Sequence, residues 1–251
     1  MSNAAVSISN LAFQYAGQPK PVFQQLNLEV VMGERFGLFG PNGAGKTTLM
    51  NCMTGLLPFH QGNITLMDNK VLPHQKSFNK QFGFVPQDFS FYPELSPIEN
   101  LEFFGAWYGL QKKQIKQRTT ELLEVLGLAD AGKKQVLKFS GGMKRRINLA
   151  IGVMHQPRIL FLDEPTVGVD VQTRHAIIEY LKELNKTGTT LIYTSHQLME
   201  AEELCNRIAL FDEGRIIAQG TLNQLLVQNN EERLEGLFIK LTGRAYRDAN
   251  V

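Results

Sequence analysis

The chain has 251 residues, 43% hydrophobic and 20% charged, with 26 Lys+Arg against 24 Asp+Glu and a formal net charge of +2. This is the composition of an ordinary soluble globular protein, long enough for one large domain or a domain with an inserted lobe. So small a net charge gives no argument for a nucleic-acid partner, and none is expected. Its two cysteines, Cys52 and Cys205, exclude a disulfide framework; both fall in predicted helices and read as small buried residues. No signal peptide is expected at the amino end, and no apolar run approaches the about 18 residues of a membrane-spanning helix. The expectation is a cytosolic chain whose membrane role, if any, needs a partner that spans the bilayer.

Residues 6–32 read as strands. Val6, Ile8 and Leu11 are apolar, and Leu26, Leu28 and Val30 alternate with Asn27 and Glu29. Ala16-Gly17-Gln18-Pro19-Lys20-Pro21 is the turn between them. Tyr15 stands just before it; its ring can stack on a nucleotide base or pack inward, and the sequence leaves both open.

Phe36-Gly37-Leu38-Phe39 predicts a short buried strand, and Leu49-Met50-Asn51-Cys52-Met53 a helix. Between them Gly40-Pro41-Asn42-Gly43-Ala44-Gly45-Lys46-Thr47-Thr48 fits the phosphate-binding P-loop pattern, in the strand–loop–helix context the pattern requires. Such a loop wraps a triphosphate with backbone N–H groups, so it needs glycine conformations, and the following helix points its positive end at the phosphates. Asn42, Gly43, Gly45, Lys46, Thr47 and Thr48 are the candidate nucleotide-binding residues. Lys46 can reach the β- and γ-phosphates, and the Thr47 hydroxyl can ligate Mg²⁺.

Gly55 to Gly62 reads as a loop, with short strands at Asn63–Met67 and Gly83–Val85. Gln87 lies just past the second strand, where a glutamine could ligate Mg²⁺ or its water. Residues 97–157 change character. Pro97 starts a helix with Ile98, Leu101 and Phe104 at helical spacing, and Ile115–Leu126 is amphipathic, ending at Gly127. This predicts an all-helical lobe, closed by Phe139-Ser140-Gly141-Gly142-Met143 and a helix over 144–154. Ser140-Gly141-Gly142 is either a plain helix cap or a second anion cradle, one that could serve a neighbouring molecule. The basic clusters Lys112-Lys113, Lys133-Lys134 and Lys144-Arg145-Arg146 read as solvated helix faces.

The α/β pattern returns with Ile159-Leu160-Phe161-Leu162, a fully apolar strand typical of a parallel sheet centre. It ends in Asp163 and Glu164, carboxylates costly at a buried strand end unless employed. Asp163 can bind Mg²⁺ through water, and Glu164 can orient or deprotonate an attacking water. Asp170 follows at a turn, then a helix over about 172–185 and an apolar strand over 189–194 that ends at Ser195-His196. His196 could bond a γ-phosphate or act as a structural cap; strand ends in parallel sheets are where ligands bind. Residues 208–218 predict a hairpin, and Leu234, Leu237, Phe238 and Leu241 predict a helical tail with one buried stripe.

Taken together, these residues resemble the ATPase subunit of an ABC transporter over roughly Val6 to Arg247. Tyr15 matches the family's adenine-stacking aromatic, Gly40–Thr48 its Walker A loop, and Gln87 its Q-loop glutamine. Ser140-Gly141-Gly142 matches the signature, Ile159–Glu164 Walker B with the catalytic glutamate, Asp170 the D-loop aspartate and His196 the switch histidine. The signature departs from the usual form at Phe139 and Met143. Phe139 to Arg146, and the tail Leu237 to Arg244, look like the drug, antibiotic, sodium or polysaccharide exporter subgroup.

The resemblance implies an α/β P-loop NTPase fold with a mainly parallel core sheet, an N-terminal antiparallel β-subdomain and an inserted helical lobe. Its expected division is core 6–96 and 158–220, lobe 97–157 and tail 221–251. It also implies ATP and Mg²⁺ as ligands, with Thr47, Gln87 and Asp163 toward the metal. Glu164, His196 and Gln87 would be catalytic. A second ATPase subunit would pair head to tail, most simply an identical copy, and a separate integral membrane permease would hold the pair at the cytoplasmic face of the inner membrane. An importer subunit, or a non-transport relative acting on ribosomes or DNA, stays open as an alternative. A GTPase is disfavoured, because Asn79-Lys80-Gln81-Phe82 and Asn185-Lys186-Thr187-Gly188 both lack the aspartate of a guanine-reading motif.

Overall fold

The computed structural model describes residues 3–72 and 80–243; Arg244 to Arg247, the end of the resemblance, lie outside the described residues. Two compact units divide the chain: one is Met1–Lys76 with Thr190–Val251, the other Ser77–Thr189.

The first unit opens with strands β1 (Ala4–Phe13), β2 (Phe23–Val31) and β3 (Arg35–Phe39), then helix α1 (Lys46–Met53), β4 (Gln61–Leu66) and β5 (Asn69–Lys70). The second unit carries β6 (Phe82–Val85), α2 (Pro97–Trp107), α3 (Lys112–Val125), α4 (Gly141–Val153), β7 (Ile159–Asp163) and α5 (Val171–Lys186). The chain then returns to the first unit with β8 (Thr190–Ser195), α6 (Leu198–Leu204), β9 (Arg207–Asp212), β10 (Arg215–Thr221), α7 (Leu222–Asn229) and α8 (Leu234–Thr242).

In the first unit an antiparallel sheet runs β2-β1-β4-β5. Its alternation is the sequence's own: Leu26, Leu28 and Val30 are buried, while Asn27 and Glu29 face water. Separately, β3 lies between β8 and β9, parallel to both, and β10 closes antiparallel on β9. The β9–β10 turn puts Glu213 at φ 43° and Gly214 at φ 76°, the conformation a tight hairpin demands. At Gly214 the glycine is required twice, since a Cβ there would run into the Val22 carbonyl oxygen. Tyr193 on β8 donates its hydroxyl to Glu200 on α6 at 2.9 Å, which lets a buried carboxylate keep a partner.

In the second unit β6 and β7 pair in parallel, and every residue of β7 is buried. Residues 97–157 contain helices and 3-10 turns. Helix α2 begins in a capping box: Ser96 accepts from the Glu99 N–H, the Glu99 carboxylate accepts from the Ser96 N–H, and Pro97 fills the first turn. Gly127, at φ 63°, ends the α3 region.

Some expectations are corrected. Helix α4 starts at Gly141, three residues earlier than the basic run suggested, because the Ser140 hydroxyl caps it by accepting from the Met143 N–H. Strand β5, of two residues, was not expected, and the helix expected around Cys205 ends before it, at Leu204. Cys205 is buried but follows α6 rather than lying in it. In α8, Leu234, Leu237 and Phe238 are buried, whereas Leu241, in the last turn, is exposed. Among the described residues no helix is long and apolar enough to cross a membrane.

Candidate functional site

In the first unit the parallel register pairs Phe39 with Ser195. Gly40, which opens the loop, and His196 therefore leave the carboxyl ends of adjacent strands. A Cβ at Gly40 would meet the Phe211 carbonyl oxygen, so the loop can turn here only over a glycine. Gly45 sits at φ 107° as the N-cap of α1, which has no side-chain cap. The helix field at the start of α1 favours an anion there. Asn42, Gly43 and Thr47 are exposed at the mouth, and Thr48 is buried.

Lys46 is only 4% exposed. Its ammonium donates to the carbonyls of Gly40 at 2.7 Å and Pro41 at 3.2 Å, which positions the cation within the loop. This glycine-walled, cationic, uncapped helix start fits a polyphosphate. Tyr15 does not pack inward. Its ring stands edge-on to Phe13 at 4.9 Å, its hydroxyl shares a hydrogen bond with Thr48 Oγ1 at 3.1 Å, and it is an exposed aromatic. A cavity of about 620 Å³ lined by Phe13, Tyr15, Pro21, Leu57 and His60 opens beside it.

In the second unit the same logic repeats. Val85 pairs with Leu162, so Gln87 lies just past one strand's carboxyl end, and Asp163 and Glu164 lie at and just past that of its parallel neighbour. Asp163 is 1% and Glu164 4% exposed. Glu164 takes φ 48°, a conformation costing about 1 kcal/mol or more for a residue with a Cβ. That strain turns the chain sharply at the second carboxylate. Asp170 caps α5: its carboxylate accepts from the Thr173 N–H at 2.9 Å and the Thr173 hydroxyl at 2.7 Å. Those two donors hold its carboxyl below the usual aspartate range. Gly142 lies against Thr173, where a Cβ would approach the threonine hydroxyl at 3.0 Å.

The structure thus groups Tyr15, the 40–48 loop and His196 in one unit. It groups Gln87, Ser140, Gly141, Gly142, Asp163, Glu164 and Asp170 in the other. Sequence reasoning missed Arg145 and Asn148. Arg145 belongs to no solvated face: it is 7% exposed and donates to the carbonyls of Gln87 and Val167. Arg146 is likewise engaged, through Nη1 to the Leu126 carbonyl at 2.9 Å. The missed signal was position: Arg145 stands four residues past Gly141, within the basic run yet buried.

A family model described as "ABC transporter" matches residues 23–167. The chain belongs to the ABC transporter family. It is an ATP-binding subunit of that family, with an ABC ATPase domain. It is 45% identical, over 82% of its length, to the linearmycin resistance ATP-binding protein LnrL of Bacillus subtilis, and 42% identical, also over 82%, to the Nod factor export ATP-binding protein I of Cupriavidus metallidurans. The match spans 66% and 68% of those relatives' own lengths.

Among solved structures, one titled as the ATP-binding subunit of an ABC transporter superposes with a TM-score of 0.86 at 28% identity, covering 95% of this chain and 99% of that one. A dimeric ATP-binding cassette in a post-hydrolysis state with ADP and Pi superposes with a TM-score of 0.79 at 25% identity, covering 86% and 98%. The α/β P-loop fold expected from the sequence is therefore the fold this ABC subunit has.

Proposed function

We propose that this subunit hydrolyses ATP to drive an exporter, working as a head-to-tail pair, most simply of identical copies, beneath a separate membrane permease. The observation that carries the chemistry is the placement of Lys46 and Glu164: a buried cation within an uncapped helix-start loop, and a buried carboxylate turned out at a strand end by a positive φ. The export direction is supported by the roles the relatives are named for, linearmycin resistance in one and Nod factor export in the other.

In this reading Tyr15 stacks the adenine, and Asn42, Gly43, Gly45, Lys46, Thr47 and Thr48 hold the phosphates. Mg²⁺, when bound, neutralises phosphate charge, with Thr47, Gln87 and Asp163 as its proposed ligands. Glu164 accepts a proton from the attacking water, whose oxygen bonds to the γ-phosphorus as the bond to the β,γ-bridging oxygen breaks, giving ADP and phosphate. His196 donates to a γ-phosphate oxygen. Ser140, Gly141 and Gly142 grip the nucleotide of the partner copy, with Asp170 nearby in the α5 cap.

The exposed aromatics Phe89 and Tyr92, close to Gln87 in sequence, together with Phe103 and Trp107 on α2, are the proposed seat of a cytosolic helix of the permease. Docking there would hold the chain at the cytoplasmic face of the inner membrane. No nucleic-acid partner is proposed.

Glu164→Gln tests the scheme. It should lower turnover by about a hundredfold or more while ATP now supports a dimer on multi-angle light scattering. A variant that stays monomeric with ATP and turns over like wild type would sink it.

A further inference from the structure

Helix α4 presents two buried polar side chains one turn apart toward the segment after β6. Arg145 Nη1 donates to the Gln87 carbonyl at 2.5 Å, and its Nε donates to the Val167 carbonyl at 3.2 Å. Its guanidinium carbon lies 4.8 Å from the centre of the Phe89 ring. Asn148 is 1% exposed. Its amide donates to the Pro86 carbonyl at 3.1 Å, and its oxygen accepts from the Ser90 N–H at 3.2 Å and the Ser90 hydroxyl at 3.1 Å. Backbone groups on both sides of Gln87 are thus tied to one helix, and through Arg145 that helix also holds the loop between Glu164 and Asp170.

A guanidinium suits this task because its planar fork can serve carbonyls in different directions at once, and a ring face completes its surroundings. An ammonium could reach only part of that set. Burying a guanidinium costs free energy; here Asp88 and Glu164 bear on it electrostatically and favour its charged form.

We propose that Arg145, supported by Asn148, is the positioning residue that sets the Gln87 backbone and the loop following Glu164 in one geometry relative to the start of α4. Arg145 touches no reacting atom; it acts through Gln87. The same helix begins at Ser140-Gly141-Gly142, so a pull on its first turn is passed to both loops by these hydrogen bonds. The inference rests on the proposed role of Gln87.

The test is steady-state ATP hydrolysis by the full chain across Mg²⁺ concentrations, for Arg145→Met, Arg145→Lys, Gln87→Ala and the double variant Arg145→Met/Gln87→Ala. Arg145→Met keeps most of the stem and removes the donors. It should lower kcat about tenfold and raise the Mg²⁺ concentration for half-maximal rate, with KM for ATP changed less than about twofold and a melting temperature lowered by no more than about ten degrees, so that the chain stays folded at the assay temperature. Arg145→Lys should recover part of the rate. The double variant should be no slower than Gln87→Ala alone.

Wild-type kinetics in Arg145→Met, or losses that multiply in the double variant, would overturn the proposal. A fall in melting temperature that accounts for the lost rate, unrelieved by Arg145→Lys, would overturn it too, leaving Arg145 structural. If Gln87→Ala itself behaves as wild type, the assignment of Gln87 fails first and this inference falls with it.

Discussion

His155 shows how much one residue's surroundings decide. It sits just past α4, stacked on Tyr108 with ring centroids 3.8 Å apart, and Nε2 is 3.1 Å from the Phe82 carbonyl oxygen. Its Nδ1 is buried with no hydrogen-bond partner among the described residues. Protonating the ring would place a second N–H where nothing accepts it, and burial pushes its pKa from 6.5 down to about 4. The unfolded chain therefore binds more protons than the folded one between those two values. This residue's contribution to stability is complete above about pH 6.5 and is lost as pH falls toward 4. Urea midpoints followed from pH 7 to 4.5 should fall less steeply for His155→Gln than for wild type; parallel curves would refute the account. No periodicity or motif marks this histidine. Only packing gives it an unusual pKa, which is why a sequence reading passes over it while finding Lys46 and Glu164 by their spacing.

At the scale of elements, the strands and the helices with strong end signals were legible. Ser96-Pro97 with Glu99, Gly127, and the run Ile159–Leu162 each announce a boundary or a burial state by local chemistry. Less legible was anything set by what an element packs against. The basic run at the head of α4 looks like any solvated helix, yet two of its arginines bond backbone carbonyls of other segments. The aromatic surface was half visible. Phe89 and Tyr92 follow Gln87 closely along the chain, but Phe103 joins only through the fold, its ring 4.9 Å from Tyr92 and edge-on to it. If that surface seats a permease helix, Phe103→Asp should abolish co-purification of a membrane chain from detergent extracts. Because Phe103 is an exposed residue of α2, the melting temperature should move by no more than a few degrees. Undiminished co-purification would remove α2 from the interface.

At the scale of the whole molecule, the family and its fold could be read from the order of the motifs, since each sits where the strand–loop–helix pattern requires it. The tertiary division of labour could not. The strand order that sets Phe39 beside Ser195, and Val85 beside Leu162, comes from pairings between segments distant in sequence. The grouping that results has a consequence for inheritance. Lys46 and Tyr15 lie in the first compact unit, whereas Glu164, Gln87 and Arg145 lie in the second. Damage to one unit and damage to the other should therefore be distinguishable phenotypes. In a random mutant library scored twice, once for retaining a nucleotide and once for consuming it, lesions between residues 77 and 189 should be enriched among chains that hold ATP and do not spend it. Lesions near residues 40–48 should fail the first screen outright. A library in which both defects scatter evenly along the chain would show that holding and consuming are not separable properties of this protein.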